Sequence, residues 1–522
     1  MGSPSSGPLP RSARATDIIR FYSRKLLVAA AAIISFTVLF LLYTRGSSLN
    51  LNYGSHRPQP ISPSEAPDNK PPSPFHPHSH DNFIHLDAIK EFWAPWASAI
   101  LASKPPIPEI TVRMPHSNLG VSEEEARKPR TPPANLINLS PSEMSNLTEA
   151  HASFMGNLAA YKYPDRDVNS LFHHRGVVTV AGGEYFGPAI VGIHMLRASG
   201  CDLAVEAFVQ NWDEYEPELC EEYLPKLNAR CLVIEDFLSA HVDKALEVTH
   251  YQLKSLALLF SSFRDVLLLD SDSIPLVDPA KLFQSAAYKT TGFVGWSDFW
   301  KSSETPSFWT IAGLPSFPAN LPSPCSESGQ IVVDKMRHLK TLLLATYYNI
   351  WGPKWFYPLL SQGALGQGDK NTFETAAVVL NSPFSRVPKG VKSVSRRTGE
   401  RGAVKGSAML QFMPENILPD GMNEGLEVIP TSDRPAFIHA NTPKMNAGHL
   451  VDEGDLVTDE GRHLRLWGSK EDQVKIFGED LEKRVWLIVK ETGCELANVV
   501  KEWKDRKHLC KRLKEHWNEV FG

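Results

Sequence analysis

An excess of basic charge is absent from this sequence of 522 residues. It has 54 lysines and arginines against 59 aspartates and glutamates, which gives a net charge of −5. No basic field is therefore available to hold a polyanion, and we exclude nucleic acid as a partner. Cysteine is scarce as well, because the chain has six cysteines and no Cys-x-x-Cys pair. This argues against a zinc site and a thioredoxin-like motif, and it leaves open which cysteines an oxidising compartment would pair.

Charge is also missing from one run near the N-terminus, Leu26–Tyr43. The run is close to the ~20 apolar residues that cross a bilayer. Basic residues cluster before it and only Arg45 follows nearby, so we expect residues 1–25 to be a cytoplasmic tail and the rest of the chain to be lumenal. A cleaved signal peptide is the alternative. We favour a transmembrane signal anchor, because the run exceeds the roughly 7–15 residues of a signal peptide's apolar region and no small-residue cleavage pattern follows.

Proline, serine and histidine are frequent in residues 44–85, and such a composition cannot bury a core. We expect a stem that holds a lumenal domain away from the bilayer. Residues 86–170 would form the N-terminal part of the lumenal region. They carry two acceptor triplets for N-glycosylation, at Asn138 and Asn146, which support the lumenal interpretation weakly because such triplets are common.

Residues 171–467 show short β-branched runs that alternate with helical stretches. This alternation predicts an α/β domain around a mixed, mostly parallel sheet. The first runs that we expect to be strands are Val177–Val180, Ala204–Phe208 and Cys231–Ile234. A helix over His250–Phe260 leads into Val266–Leu269, an apolar run short enough to be a strand buried on both faces. Residues 468–522 are charged, with apolar residues at spacings of three and four, which predicts a helical cover.

Two carboxylates, Asp270 and Asp272, come directly after the apolar run. Ligands of α/β sheets bind at the carboxyl ends of strands. In extended chain, residues two apart point to the same side, so both carboxylates can address one hard cation such as Mn²⁺ or Mg²⁺. Such a cation would neutralise the phosphates of a sugar nucleotide and lower the cost of charge on a leaving diphosphate.

An aspartate pair also has explanations without a metal. Aspartate is common in solvated turns for local reasons. An EF-hand loop begins in the same way, but Pro275 occupies the position where that loop needs glycine, and the glutamate that closes the loop is missing. We therefore exclude an EF-hand and retain the solvated turn as the alternative.

Four segments together resemble one enzyme family. They are Leu267–Pro275, Glu327–Lys335, Gly368–Phe373 and Phe437–Lys444. In this order and spacing they resemble the fungal α-mannosyltransferases of glycosyltransferase family 71, particularly the α-1,2 branch that starts side branches on cell-wall mannan. The resemblance implies a GT-A fold and a Golgi type II membrane protein. It also implies transfer of mannose from GDP-mannose to an α-mannoside acceptor on glycoprotein or mannan, with a divalent metal, usually Mn²⁺.

The resemblance further implies residues that contact the donor. Gly182 and Gly183 look like the nucleotide-binding turn after the first strand, where small residues let the backbone approach the base or ribose. An ordinary turn is the alternative. Lys254 is similar to a lysine that meets the donor phosphates in related GT-A enzymes, and a solvated helix lysine is the alternative.

A late histidine and lysine complete the implied site. In other retaining GT-A enzymes, a late histidine completes the metal shell and a following lysine meets the diphosphate, and His439 and Lys444 look similar. His449 is a rival ligand. We prefer His439 because it directly ends a strand-like run.

Glu327 and Asp369 are the remaining acidic candidates, and we expect both on glycine-containing loops. They would bind donor or acceptor hydroxyls and stabilise a cationic sugar ring. If the enzyme retains anomeric configuration, as the resemblance implies, the departing phosphate can take the acceptor proton, and a covalent glycosyl-enzyme route stays open. The alternative is structural, with the two carboxylates capping Lys335 or Lys370.

Two classes of function follow from these features. The first is an active metal-dependent α-mannosyltransferase of α-1,2 specificity, with α-1,3 specificity as the alternative linkage. The second is a non-catalytic Golgi member that binds mannan or organises other Golgi mannosyltransferases. Loss of the aspartate pair or of the late histidine would favour the second class, and neither is lost.

Overall fold

A computed structural model describes residues 80–522 of the protein, except residues 118–119, 122–124, 126–127, 162–169, 239–245, 247, 319–320, 398–403, 415–430, 453–455 and 459. The predicted cytoplasmic tail, the apolar run Leu26–Tyr43 and most of the stem lie outside the described residues. Among the described helices, none has both the length and the apolar character needed to cross a membrane. The transmembrane anchor therefore stays a prediction.

The described strands form two sheets. The strands are β1 (His173–Val180), β2 (Ala204–Val209), β3 (Ala229–Val233), β4 (Phe263–Leu269), β5 (Ser273–Pro275), β6 (Phe293–Lys301), β7 (Pro324–Asp334), β8 (Ser385–Arg386), β9 (Lys392–Arg397), β10 (Val404–Pro414) and β11 (Thr431–Thr442).

The described helices surround these sheets. The α-helices are α1 (His80–Ala102), α2 (Pro141–Ala160), α3 (Phe186–Ala198), α4 (Ile234–Leu238), α5 (Leu253–Phe260), α6 (Ala286–Thr291), α7 (Pro306–Ile311), α8 (Lys335–Ile350), α9 (Tyr357–Ser361), α10 (Thr372–Val379), α11 (Ala447–Leu450), α12 (Lys470–Phe477), α13 (Leu481–Glu495) and α14 (Leu509–Phe521). Short 3₁₀ helices span Gly183–Tyr185, Leu224–Leu227, His250–Gln252 and Pro279–Gln284, and π-helical turns span Glu218–Tyr223 and Gly352–Phe356.

The larger sheet has seven strands in the order β3-β2-β1-β4-β7-β6-β8. β7 pairs antiparallel with β4 and β6, and the other pairs are parallel. This is the mixed, mostly parallel sheet that the sequence predicts. The runs expected to be strands correspond to β1, β2, β3 and β4, and β4 begins earlier than predicted, at Phe263.

Two hydrophobic cores lie on opposite faces of the larger sheet, because successive residues of a strand point to opposite sides. In β4, Val266 and Leu268 belong to the core that α5 and α8 cover. Leu267 and Leu269 belong to the other core, which contains α3. Burial on both faces explains why this run is continuously apolar rather than alternating.

The smaller sheet joins the end of β4 to the late part of the chain. Its order is β5-β11-β10-β9, with antiparallel pairs. β5 begins directly after Asp272, and its first residue, Ser273, lies opposite His439 of β11. The register of this short pairing therefore brings the end of β4 beside β11.

Helices from both ends of the described chain complete the cores. The ring of Phe154 in α2 stacks on Tyr347 of α8 with ring centroids 4.4 Å apart. At the C-terminal end, Trp486 of α13 and Trp503 are buried in the same core as α3. The predicted helical cover over residues 468–522 is therefore present as α12, α13 and α14.

Two disulfides are formed, Cys220–Cys231 and Cys494–Cys510. The first links a π-helical turn to β3, and the second links α13 to α14. Cys201 and Cys325 are free and buried. The structure thus resolves the pairing that the sequence left open.

Candidate metal and donor site

Asp270 and Asp272 lie on a tight turn between β4 and β5. The backbone N–H of Asp270 donates to the carbonyl of Gly329 in β7 at 2.9 Å, and the N–H of Ser273 donates to the carbonyl of Asp270 at 2.9 Å. The extended conformation predicted for the pair is therefore wrong, because the chain reverses here to begin β5. The solvated-turn alternative is also wrong for Asp272, which is 3% exposed.

His439 meets the aspartate pair through the pairing of β5 with β11. Its Nε2 lies 2.9 Å from Oδ1 of Asp272, and the N–H of Ala440 donates to the carbonyl of Asp272 at 2.9 Å. One ligand atom from each of Asp270, Asp272 and His439 lies within 4.8 Å of the others. The reason for choosing His439 was wrong, because β11 continues to Thr442.

The rival histidine lies outside this group. His449 belongs to α11, and its imidazole forms an ion pair with Glu502. We therefore retain His439 as the histidine beside the aspartates.

The group suits a hard divalent cation. Two carboxylates and an imidazole are ligands that Mn²⁺ accepts, and their spacing allows one ion to contact all three. Nδ1 of His439 has no hydrogen-bond partner in the described part of the chain and lies 3.5 Å from Oε1 of Glu327. A carboxylate behind the imidazole is the arrangement that orients histidines bound to metals.

Glu327 is held behind His439 by its own strand. It lies on β7, not on a loop as predicted, and its Oε1 accepts the N–H of Gly329 at 2.7 Å. The Ser-Gly sequence after Glu327 suggested a loop, but β7 is buried throughout its length between β4 and β6. The position of Glu327 makes it a positioning residue for the imidazole.

A lysine contacts each aspartate. Nζ of Lys254 lies 2.9 Å from Oδ2 of Asp270, 3.1 Å from Oδ2 of Asp369 and 3.0 Å from Oγ of Ser328. Lys444 forms an ion pair with Asp272. The alternative of a solvated helix lysine is wrong for Lys254, which is 12% exposed.

These contacts separate the pKa values of the two aspartates. Burial raises the pKa of Asp270 to about 6, although the Lys254 charge acts in the opposite direction. Burial alone would also raise the pKa of Asp272, but His439 and Lys444 lower it well below its usual value. Burial would lower the pKa of His439, and the Asp272 carboxylate instead raises it. The protonated His439 and the amines of Lys254 and Lys444 thus offset the negative charges of the two aspartates. A bound cation would take over this role.

Asp369 lies on a loop, as predicted, three residues before α10. It is 3% exposed, and among the described residues its Oδ2 has no partner besides the ion pair with Lys254. Neither predicted capping role is present. Lys370 instead pairs with Asp298 at 2.6 Å, and Nζ of Lys335 donates to three carbonyls at the C-terminal end of α5.

Gly182 and Gly183 follow β1 and lie next to this cluster. Both adopt left-handed backbone conformations, with φ of 102° and 49°. A Cβ atom on Gly182 would lie 2.3 Å from Oε2 of Glu214, so a larger residue would have to displace that carboxylate and would also be strained at this φ. The ring of Tyr185, at the end of the same turn, lies 5.7 Å from Nζ of Lys444. The structure therefore brings this turn beside the metal group, which consists of Asp270, Asp272 and His439.

Three contacting residues were missed from the sequence. Ser328 contacts Lys254, Tyr185 lies beside Lys444, and Asp298 anchors the residue that follows Asp369. Ser328 and Tyr185 stand next to residues already selected, which is the signal that would have found them. Asp298 has no such neighbour in sequence, and only the pairing of β6 with β7 brings it near.

Comparison with known proteins gives the family. A mannosyltransferase family model matches residues 174–320 and 314–413. The α-1,2-mannosyltransferase MNN2 of Saccharomyces cerevisiae is 33% identical over 74% of this chain and 74% of its own length. The chain belongs to this family of fungal mannosyltransferases. Two further relatives come from Candida albicans. The α-1,2-mannosyltransferase MNN21 is 32% identical over 73% of this chain, and MNN2 is 33% identical over 63% of it.

The match covers only part of the length of the Candida albicans relatives. The chain covers 66% of MNN21 and 60% of MNN2. Among solved structures, it is similar to mouse xyloside xylosyltransferase 1, at 13% identity over 41% of this chain and 85% of that chain, with a TM-score of 0.27. That score is too low to support the fold, but the mixed, mostly parallel sheet itself fits a GT-A α/β fold.

Proposed function

We propose that this protein transfers mannose from GDP-mannose to an α-mannoside acceptor on glycoproteins or mannan, forming an α-1,2 linkage with retention of configuration. The names of the relatives support the linkage and the sugar. The observation that carries the proposal is the buried group of Asp270, Asp272 and His439 at the carboxyl end of β4, with a lysine on each aspartate.

A divalent cation, which we take to be Mn²⁺, would be held by Asp270, Asp272 and His439. When bound, it supplies Lewis-acid neutralisation of the donor diphosphate. Lys254 holds the carboxylates of Asp270 and Asp369 close to each other, because its amine contacts both of them. Lys444 is 38% exposed, so it is the lysine with room to turn towards a phosphate.

In the transfer step, an oxygen of the acceptor forms the new bond to C1 of mannose while the bond from C1 to the phosphate oxygen breaks. The proton of the acceptor hydroxyl passes to the departing phosphate, so no strong base is needed. We assign Asp369 to the point where the donor and acceptor sugars meet, because a carboxylate there stabilises positive charge on the mannosyl ring of the donor in the transition state. Glu327 acts on His439 instead.

We also propose that the protein is a Golgi type II membrane protein, anchored by Leu26–Tyr43 and working beside other Golgi mannosyltransferases. The two disulfides support a compartment of the secretory pathway, because disulfides persist in oxidising environments. An α-1,3 linkage is the alternative within the family. A non-catalytic role has less support, because the metal group and both lysines are present.

The test is a donor screen on the full-length chain in detergent, with Mn²⁺ and an α-mannoside acceptor, followed by linkage analysis. We expect transfer from GDP-mannose alone, and a loss of about 100-fold or more in kcat for Asp270→Asn and Asp272→Asn. The matched control is Asp278→Asn, which lies in the same segment and keeps the acceptor that caps Ala280. Undiminished transfer by either site variant would contradict the metal role, and transfer from another nucleotide sugar would contradict the donor.

A further inference from the structure

An exposed aromatic side chain lies at the edge of the site. Tyr251 is 54% exposed, whereas the large aromatic rings of the two cores are buried. An exposed tyrosine offers a flat apolar face with a polar tip, which suits contact with a ligand that is apolar on one face and carries hydroxyls at its rim. Its position directly before α5, one helical turn from Lys254, makes it a neighbour of the reaction residues.

The backbone under Tyr251 is held in an unusual conformation. His250 has a φ of 48°, in the left-handed region that side chains other than glycine rarely adopt. The 3₁₀ turn His250–Gln252 is fixed by Thr249, whose N–H donates to Oε1 of Gln252 at 2.9 Å. Such strain is retained where the surrounding structure fixes it, and it is concentrated at functional sites.

The ring of Tyr251 lies on the loop that carries Asp369. A Cβ atom added to Gly368 would be 3.2 Å from Cδ2 of Tyr251, so the absence of a side chain there lets the ring rest on the loop backbone. Asp369 follows at once; it is buried, and its Oδ2 forms the ion pair with Lys254. An apolar face and a carboxylate thus stand side by side.

Neighbouring pKa values agree with this position. Burial, followed by Glu184 and then by Tyr251 and Asp272, raises the pKa of Tyr185 to about 12. Burial, followed by Asp369 and Tyr251, raises the pKa of Tyr357 as well. Tyr251 therefore stands near both tyrosines, and its contact with Gly368 places it beside the loop of Asp369.

We propose that Tyr251, resting on Gly368, forms the subsite for the acceptor, taking the C–H face of an α-mannoside ring while a ring hydroxyl donates to Asp369. A hexose has one apolar face and a rim of hydroxyls, which matches a flat aromatic ring beside a carboxylate acceptor. This inference rests on the proposed function, and it adds the residue that selects the acceptor. The glycine turn and Lys444 are left to the donor nucleotide.

The test compares steady-state constants of the full-length enzyme with α-1,6-mannobiose as acceptor. Tyr251→Ala should raise the acceptor KM about 10-fold or more, while the KM for GDP-mannose stays within about twofold, because one aromatic stacking contact is lost. Tyr251→Phe should keep the wild-type KM. Ile476→Ala, which removes an exposed apolar side chain from α12, is the control and should change neither constant.

A binding measurement separates this inference from the proposed function. Titration calorimetry of mannobiose into each protein, with GDP and Mn²⁺ present, should show weaker binding for Tyr251→Ala than for wild type. Wild type that binds mannobiose but transfers no mannose would overturn the proposed function alone. An unchanged acceptor KM and affinity in Tyr251→Ala, or a rise confined to the donor KM, would overturn the acceptor subsite. Melting curves check that the variants are folded.

Discussion

Gly329 lies where β7 passes beneath the imidazole of His439. A Cβ atom at this position would be 2.6 Å from Nδ1 of His439 and 2.9 Å from Oε1 of Glu327. Both distances are too short for non-bonded atoms, so any larger residue must displace the imidazole or the carboxylate behind it. The geometry of the metal group thus depends on a residue that contacts no metal itself.

We predict that Gly329→Ala weakens Mn²⁺ binding although all proposed ligands remain. Disturbing the groups that orient a metal ligand typically costs 10- to 100-fold in affinity, so we expect a loss of about that size. The measurement is the Mn²⁺ dependence of mannosyl transfer, together with direct Mn²⁺ titration. Gly295→Ala on the adjacent strand β6 is the control, because its Cβ would meet its nearest atom at 3.9 Å. Equal Mn²⁺ affinity in both variants would contradict the role of Gly329.

The sequence predicted which residues form the proposed metal site, but it predicted their contacts with one another less well. Asp270 and Asp272 are recognisable because a buried strand precedes them, and that feature is local. The position of Glu327 could not be predicted, because a glutamate within a fully buried strand is unusual and its partner, His439, is more than a hundred residues away. Such pairings come from strand register, which a single sequence does not encode locally.

At the scale of elements, α13 carries a buried carboxylate at its start. Glu482 is 0% exposed, and its two oxygens accept the N–H groups of Leu466 at 2.6 Å and Trp467 at 2.9 Å. Burial raises its pKa to about 7, although these hydrogen bonds act in the opposite direction. The helix is therefore attached to the preceding segment through a group that titrates near neutral pH.

We predict that Glu482 makes the stability of the protein depend on pH. The pKa of Glu482 in the folded protein lies above the unfolded value of about 4.3. Its contribution to stability is therefore complete below about pH 4.3 and is lost as the pH rises through about 7. Between pH 5 and pH 8 the free energy of unfolding of wild type should fall by about 1–3 kcal/mol more than that of Glu482→Gln. Chemical denaturation at both pH values measures this difference.

The control for this prediction is Glu479→Gln, just before α13. The side chain of Glu479 is 38% exposed and pairs with Arg484 at 3.2 Å, so its removal should leave the pH dependence of wild type. Parallel stability curves for wild type and Glu482→Gln would show that the carboxylate does not titrate in this range.

The elements themselves were largely predictable where their signals are local. The apolar runs predicted β1 to β4, and the spacing of apolar residues predicted the C-terminal helices. The extent of β7 and β11 was not anticipated, because both carry polar residues that look exposed in sequence but face the site or a neighbouring strand. The order of strands depends on distant pairings, and the sequence did not predict it.

At the scale of the whole molecule, α1 and α2 share a core with the larger sheet. Trp93 of α1 and Phe154 of α2 are buried with the residues of α8. The segment between these helices is also tied down, because Arg130 is buried and pairs with Glu304 at 2.7 Å. The described residues between 80 and 522 accordingly lie in one compact unit.

We predict different outcomes for two truncations of this chain. A protein lacking residues 1–79 should fold, leave the membrane fraction and retain mannosyl transfer, because the described core stays intact and the predicted anchor is removed. A protein lacking residues 1–170 should not fold, since losing buried aromatic side chains costs about 3–5 kcal/mol each and total stability is about 5–15 kcal/mol. Cell fractionation, gel filtration and activity on a soluble acceptor measure these outcomes. Membrane retention of the shorter deletion would contradict the anchor at Leu26–Tyr43, and a soluble, active fragment of residues 171–522 would contradict the shared core.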